Sequence, residues 1–115
     1  MKVFIPALGT GIRLTKDVIF PLMPEERNRK LWDLHHSPPD LQDIPYRFRR
    51  INHRDTPLYA GDTFKIDRIY IRQGSEGFNS VTLRGETKHM GVLKKVRFWM
   101  KLEDFNAMEA EVINE

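Results

Sequence analysis

A chain of 115 residues with 40% hydrophobic and 30% charged side chains has room for one domain with one core, and its composition excludes both a disordered polar chain and a multi-span membrane protein. Cysteine is absent, which rules out disulfides, thiolate metal sites and a cysteine nucleophile. The net charge of +3 is too small by itself to imply a polyanionic partner.

The first apolar run, Val3-Phe4-Ile5-Pro6-Ala7-Leu8, is cut by Pro6 and ends at Gly9. It is shorter than a signal peptide needs, and no stretch approaches the ~18 apolar residues of a transmembrane helix. The expected compartment is the cytoplasm, without membrane attachment. Ile12, Leu14, Val18, Phe20 and Leu22 then fall on even positions, with Lys16 the one polar exception. A period of two predicts one strand with these side chains on one face, and Pro21 at its end. Residues 24–36 predict a short helix: Pro24 at its first position, Glu25 and Glu26 at the positive end of the dipole, and Glu25/Arg29 and Glu26/Lys30 as i,i+4 pairs. Leu31, Trp32 and Leu34 form its apolar stripe, and His35 and His36 its C-terminal end, before Ser37-Pro38-Pro39 stops it.

Residues 37–57 carry Pro38, Pro39, Pro45 and Pro57 and predict a long connection, with a short strand at 46–51. Ala60-Gly61-Asp62 is a turn. Thr63 to Arg72 is a strand whose apolar residues change phase: Phe64 and Ile66 point one way, Ile69 and Ile71 the other. A bulge near Asp67-Arg68 brings both pairs to the core. After a glycine hairpin at 73–77, Val81 and Leu83 mark the return strand, and Gly85 to Gly91 reads as another polar connection. Val96, Phe98, Met100 and Leu102 alternate with Lys95, Arg97, Trp99 and Lys101, the cleanest half-buried strand. Glu103-Asp104 opens a final helix that carries Phe105, Met108 and Val112 inward. The sum is a mainly β domain over 1–115: a small, partly open antiparallel β-barrel with one or two short helices, or alternatively a single-sheet α+β domain.

Charge is unevenly placed along the chain. Residues 1–54 carry ten Lys/Arg and six Asp/Glu, a surplus of four cations, while residues 55–115 carry one more acid than base. Arg47, Arg49, Arg50 and Arg54 lie in eight residues without an acid, whereas residues 103–115 contain acids and no base. The arginines are candidate phosphate contacts, or else pair with Asp40, Asp43 and Asp55. Lys95, Arg97, Trp99 and Lys101 form a second candidate nucleic-acid surface, with Trp99 stacking on a base. The competing reading packs Trp99 beneath the helix or a loop. The acidic tail is either solvated or docked on a basic surface of the same molecule or a partner.

Gly9-Thr10-Gly11 lacks the third glycine and the helix of a phosphate-binding fingerprint. No HxxxH or HxH spacing relates the four histidines, so no metal is expected, and dipole contact at the helix end accounts for His35 and His36. No nucleophile motif occurs. The expected function is binding without catalysis or cofactor.

Ala60-Gly61-Asp62-Thr63-Phe64-Lys65-Ile66-Asp67, followed by Ile69-Tyr70-Ile71 and a glycine hairpin, resembles the opening of SH3-like barrels. The long segment 37–57 departs from a minimal barrel of that type. Leu14-Thr15-Lys16-Asp17, Asp67-Arg68-Ile69-Tyr70-Ile71-Arg72 and Val96-Arg97-Phe98-Trp99 resemble small accessory proteins encoded by bacteriophages. That resemblance implies a partner that is nucleic acid or a host protein. In the second case the contact surface is the 37–57 loop or the acidic tail.

Overall fold

The computed structural model describes residues 7–36, 53–71 and 79–113. Within them are strands β1 (Gly11–Leu14), β2 (Val18–Leu22), β3 (Arg54–Leu58), β4 (Thr63–Tyr70), β5 (Ser80–His89), β6 (Val92–Lys101) and β7 (Ala110–Ile113). A 3-10 turn, Glu26–Asn28, leads into helix α1 (Arg29–His35), and helix α2 (Leu102–Ala107) follows β6. One antiparallel sheet has the order β6-β5-β4-β1-β7, and β2 and β3 form a second antiparallel pair. The protein is mainly β with short helices, as its alternating pattern predicts. The larger sheet is open, with β6 and β7 at its edges, so no barrel closes among the described residues. No helix among them is long and apolar enough to cross a membrane.

The core lies between the inner face of the larger sheet and a cover made by the small sheet and α1. Phe64, Ile66, Val81, Leu83, Phe98 and Met100 come from the large sheet, and Phe20, Leu22, Leu58, Leu31 and Trp32 from the cover; all are buried. The Phe98 ring meets Phe64 edge-on at 5.4 Å and Phe20 at 5.6 Å. Each such side chain removed from water contributes about 1.5–3 kcal/mol.

The expected bulge is present. The register of β4 on β5 shifts between Ile66 and Arg68, so Ile69 joins the same core as Phe64 and Ile66, whereas Ile71, expected with it, lies past the end of β4 and is exposed. Close packing of these strands also explains Gly85. A Cβ there would overlap the Thr63 carbonyl and stand 2.7 Å from the Phe64 Cα.

Four expectations need correction. The even-numbered run from Ile12 to Leu22 is two strands in different sheets. A bend at 15–17 turns the chain without changing parity, and the Ala60 amide donates to the Asp17 carboxylate at that bend. Pro21 lies inside β2, tolerated because a two-stranded ribbon has an open side on each strand. Helix α1 begins later than Pro24, after the 3-10 turn. Arg29 therefore reaches Glu26 at i,i+3 and Asp33 at i,i+4, and Arg27 binds Glu25 at 2.6 Å, instead of the expected pairs. Residues Gly85–His89 continue β5 instead of forming a connection. Finally, the C-terminal helix stops at Ala107, and Val112 is an exposed residue of β7. The 46–51 strand and the 73–77 hairpin lie outside the described residues.

Candidate nucleic-acid interface

Strand pairing alone aligns a row of cations on the outer face of the larger sheet. Lys65 of β4 faces Arg84 of β5, which faces Arg97 of β6. In the adjoining row Thr63 faces Glu86, which faces Lys95. Beside them α1 contributes Lys30, and together these residues line one depression of about 850 Å³. Its far side is Gly9, Thr10, Gly11 and Ile113. Gly11 pairs with both Lys65 and Ile113, and a Cβ there would sit 3.0 Å from the Ile113 carbonyl oxygen. The missing side chain keeps that side low. Five cations from α1, β4, β5 and β6 thus share the depression with one carboxylate, Glu86.

Among the described residues, no carboxylate lies within ion-pair distance of Lys30, Arg84 or Lys95. Arg97 is held: its Nε donates to the Asp67 carboxylate at 2.8 Å. That hydrogen bond holds the Asp67 carboxyl below its ordinary range. Burial opposes the effect, and the charges of Arg97, Arg84 and Arg68 add to it. Asp67 is the extra residue of the bulge, so the bulge both serves the core and orients Arg97.

Of the residues singled out from the sequence, Lys95 and Arg97 enter the depression. Lys101 lies two rows from Arg97 on the same face, opposite Ser80. Arg54 opens β3 in the other sheet, outside the depression. Arg47, Arg49 and Arg50 lie outside the described residues. Trp99 is corrected: it is 5% exposed and offers no ring face for a base. Its indole Nε1 donates to Glu25 at 2.9 Å, and the Arg27 guanidinium stands 5.7 Å from the ring centroid. The backbone amide of Trp99 donates to Asn28 Oδ1 at 2.8 Å, while Asn28 Nδ2 donates to the Met23 carbonyl. The segment ahead of α1 therefore covers the edge of β6 and the tryptophan together. Lys30, Lys65 and Arg84 were not singled out; strand alternation signals the outward direction of Lys65 and Arg84, but register brings those two together and the placement of α1 adds Lys30.

The histidines are closer than their spacing suggests. The His35 and His89 rings meet edge-to-face at 4.9 Å, and His36 Nε2 lies 2.9 Å from Thr56 Oγ1. Burial pushes the His35 imidazole down from its ordinary value, and the neighbouring His89 and His36 push it further. Burial, then Arg54, does the same for His36. A helix dipole acting alone would raise both, so packing dominates over the expected dipole contact. Among the described residues no group of three or more His, Asp or Glu is arranged to hold a metal ion.

The acidic tail docks on its own molecule, and its strand reaches the far side of the depression with Ile113. As β7 it pairs with β1, where Glu111 binds Arg13 at 2.9 Å, and just beyond the strands Glu109 binds Lys16 at 3.0 Å. No protein-family model matches this chain, and neither a curated protein nor a solved structure does.

Proposed function

We propose that this chain is a non-enzymatic, cytoplasmic module that binds nucleic acid or another polyanion through the outer face of its larger sheet. One observation carries the reading: Lys30, Lys65, Arg84, Lys95 and Arg97 line a single depression with one carboxylate among them. Several cations on one face are what phosphate contact requires, and the counterions released on binding make affinity fall steeply with salt. Arg47, Arg49, Arg50, Arg54 and Lys101 remain a second set of proposed phosphate contacts. An SH3-like relationship is also a proposal, supported by the turn at Gly61-Asp62 ahead of β4.

A titration of labelled nucleic acid by fluorescence anisotropy, repeated at several salt concentrations, tests the function. Arg84→Ala/Lys95→Ala should weaken binding about tenfold or more and flatten the log–log salt slope by roughly two. Affinity that is flat in salt, or unchanged in the double variant, overturns the proposal.

A second reading, an accessory or inhibitor protein of bacteriophage type, draws support from a different feature. The tip of the β5–β6 hairpin exposes Met90, Val92 and Leu93. The internal pairing of Glu109 and Glu111 argues against the acidic tail as its contact surface. Recovery of one stoichiometric protein that survives nuclease treatment favours this second reading.

A further inference from the structure

Tyr70 is 53% exposed, and it is the one exposed Phe, Tyr or Trp among the described residues. The bulge sets its direction. Beyond Ile66 the register resumes with Arg68 facing Thr82 and Tyr70 facing Ser80. On the other side of β5, Thr82 faces Trp99 and Ser80 faces Lys101. Tyr70 therefore stands on the outer face, two rows from Lys65 and Arg84, roughly 14 Å along the strands. Arg68, exposed, lies between the ring and the depression. The phenol ring contributes nothing to the core, which is filled by Phe64, Phe98 and Phe20.

Resting on the polyanion reading above, we propose that the ligand of this face is single-stranded nucleic acid, its phosphates in the depression and one base stacked on Tyr70. A duplex keeps its bases in their own stack and offers no ring face to a tyrosine. An extended strand offers one at every nucleotide, and stacking on an aromatic side chain strengthens binding about 5- to 100-fold per base. Tyr70 takes the role that alternation assigned to Trp99, because the tryptophan lies beneath Glu25 and Arg27 while the bulge turns the tyrosine outward.

The test is anisotropy with labelled oligothymidylate and oligouridylate of about 15 nucleotides, and with a blunt duplex of the same length. The native chain should bind at least one of the two strands more tightly than the duplex; which one it prefers separates DNA from RNA. Tyr70→Ala should lose about 5- to 100-fold for that strand, Tyr70→Phe should retain the affinity, and duplex affinity should be the same in all three proteins. Strand affinity unchanged in Tyr70→Ala overturns the stacking proposal, and so does an equal loss for strand and duplex. In those cases the Arg84→Ala/Lys95→Ala effect shows the electrostatic reading standing without it. A native chain that binds neither strand nor duplex at low salt overturns both.

Discussion

Asp62 joins two parts of the chain that lie 25 residues apart in the sequence. It is 3% exposed, so every lone pair has to find a partner inside the protein. Oδ2 accepts from the Tyr59 amide at 2.9 Å and from the Thr87 hydroxyl, and Oδ1 accepts from the Lys88 amide at 3.0 Å. The turn before β4 is thereby fixed to β5, and the buried Thr87 hydroxyl is satisfied. Gly61, at φ 94°, supplies the left-handed residue that the turn needs. Asp62→Ala leaves three donors without an acceptor and should cost about 2–4 kcal/mol in urea denaturation. Asp62→Asn keeps one acceptor oxygen and should cost less. Equal losses in the two variants would show that the site needs the second acceptor as much as the first. The same accounting explains Asn28, which is fully buried and whose amide serves the β6 edge and the Met23 carbonyl at once.

The β5–β6 hairpin shows what a local pattern specifies. Its pairing runs from Ser80↔Lys101 to His89↔Val92, leaving Met90-Gly91 as a two-residue turn with φ 51° and 80°. Both central residues take the left-handed conformation, the type I′ geometry that matches strand twist and favours Asn-Gly. Met90 carries a side chain into a region that costs an ordinary residue roughly 1 kcal/mol, and it is exposed. Met90→Asn should therefore stabilise the protein by about 0.5–1 kcal/mol, seen as a higher urea midpoint with an unchanged slope. A midpoint that stays in place would mean the turn gains nothing from relief of that strain. Patterns of this range explain which features were legible in the sequence. The alternation of β6 and the phase change of β4 follow from one strand's own residues, so their faces and the bulge could be read. Gly85–His89 could not, because its inward position holds Thr87, whose polarity is satisfied by distant Asp62. The two-strand split of 12–22 was hidden because the bend preserves parity. The depression was only half legible: Lys95 and Arg97 share one strand, but Lys65, Arg84 and Lys30 join them through pairing and packing at long range. Alternation assigned Trp99 its face without showing that Glu25, Arg27 and Asn28 fold over it.

Global stability against pH sums the environments of groups across the molecule, and here they pull in opposite directions. His35 faces His36 just past the end of α1, Tyr59 and Asp62 around the turn before β4, and His89 on β5; His36 faces Thr56 and Arg54 on β3. Asp62 favours the charged His35, but burial and the two neighbouring imidazoles outweigh it. Both His35 and His36 are held below the ordinary imidazole value of 6.5 in the folded state, so the unfolded chain binds their protons first. Stability from these groups is complete above about pH 6.5 and is lost as the pH falls below it. Asp104 works the other way. Burial, then Glu103, pushes its carboxyl up, so folding favours its neutral form and its contribution is lost as the pH rises from the ordinary 3.8. The Asp67 carboxyl, held down by Arg97, contributes stability that is lost only in acid below the ordinary carboxylate value. From about pH 7.5 to 5.5 the two histidines act in one direction, and through them the urea midpoint should be level down to about 6.5 and then fall. His35→Phe keeps a ring against His89 without the titrating nitrogen, so its midpoint should fall less over the same interval. The protons of His35 drive the loss only if that variant's curve is flatter than the native one. Parallel curves would assign the loss to His36, whose contact with Thr56 ties the end of α1 to the small sheet.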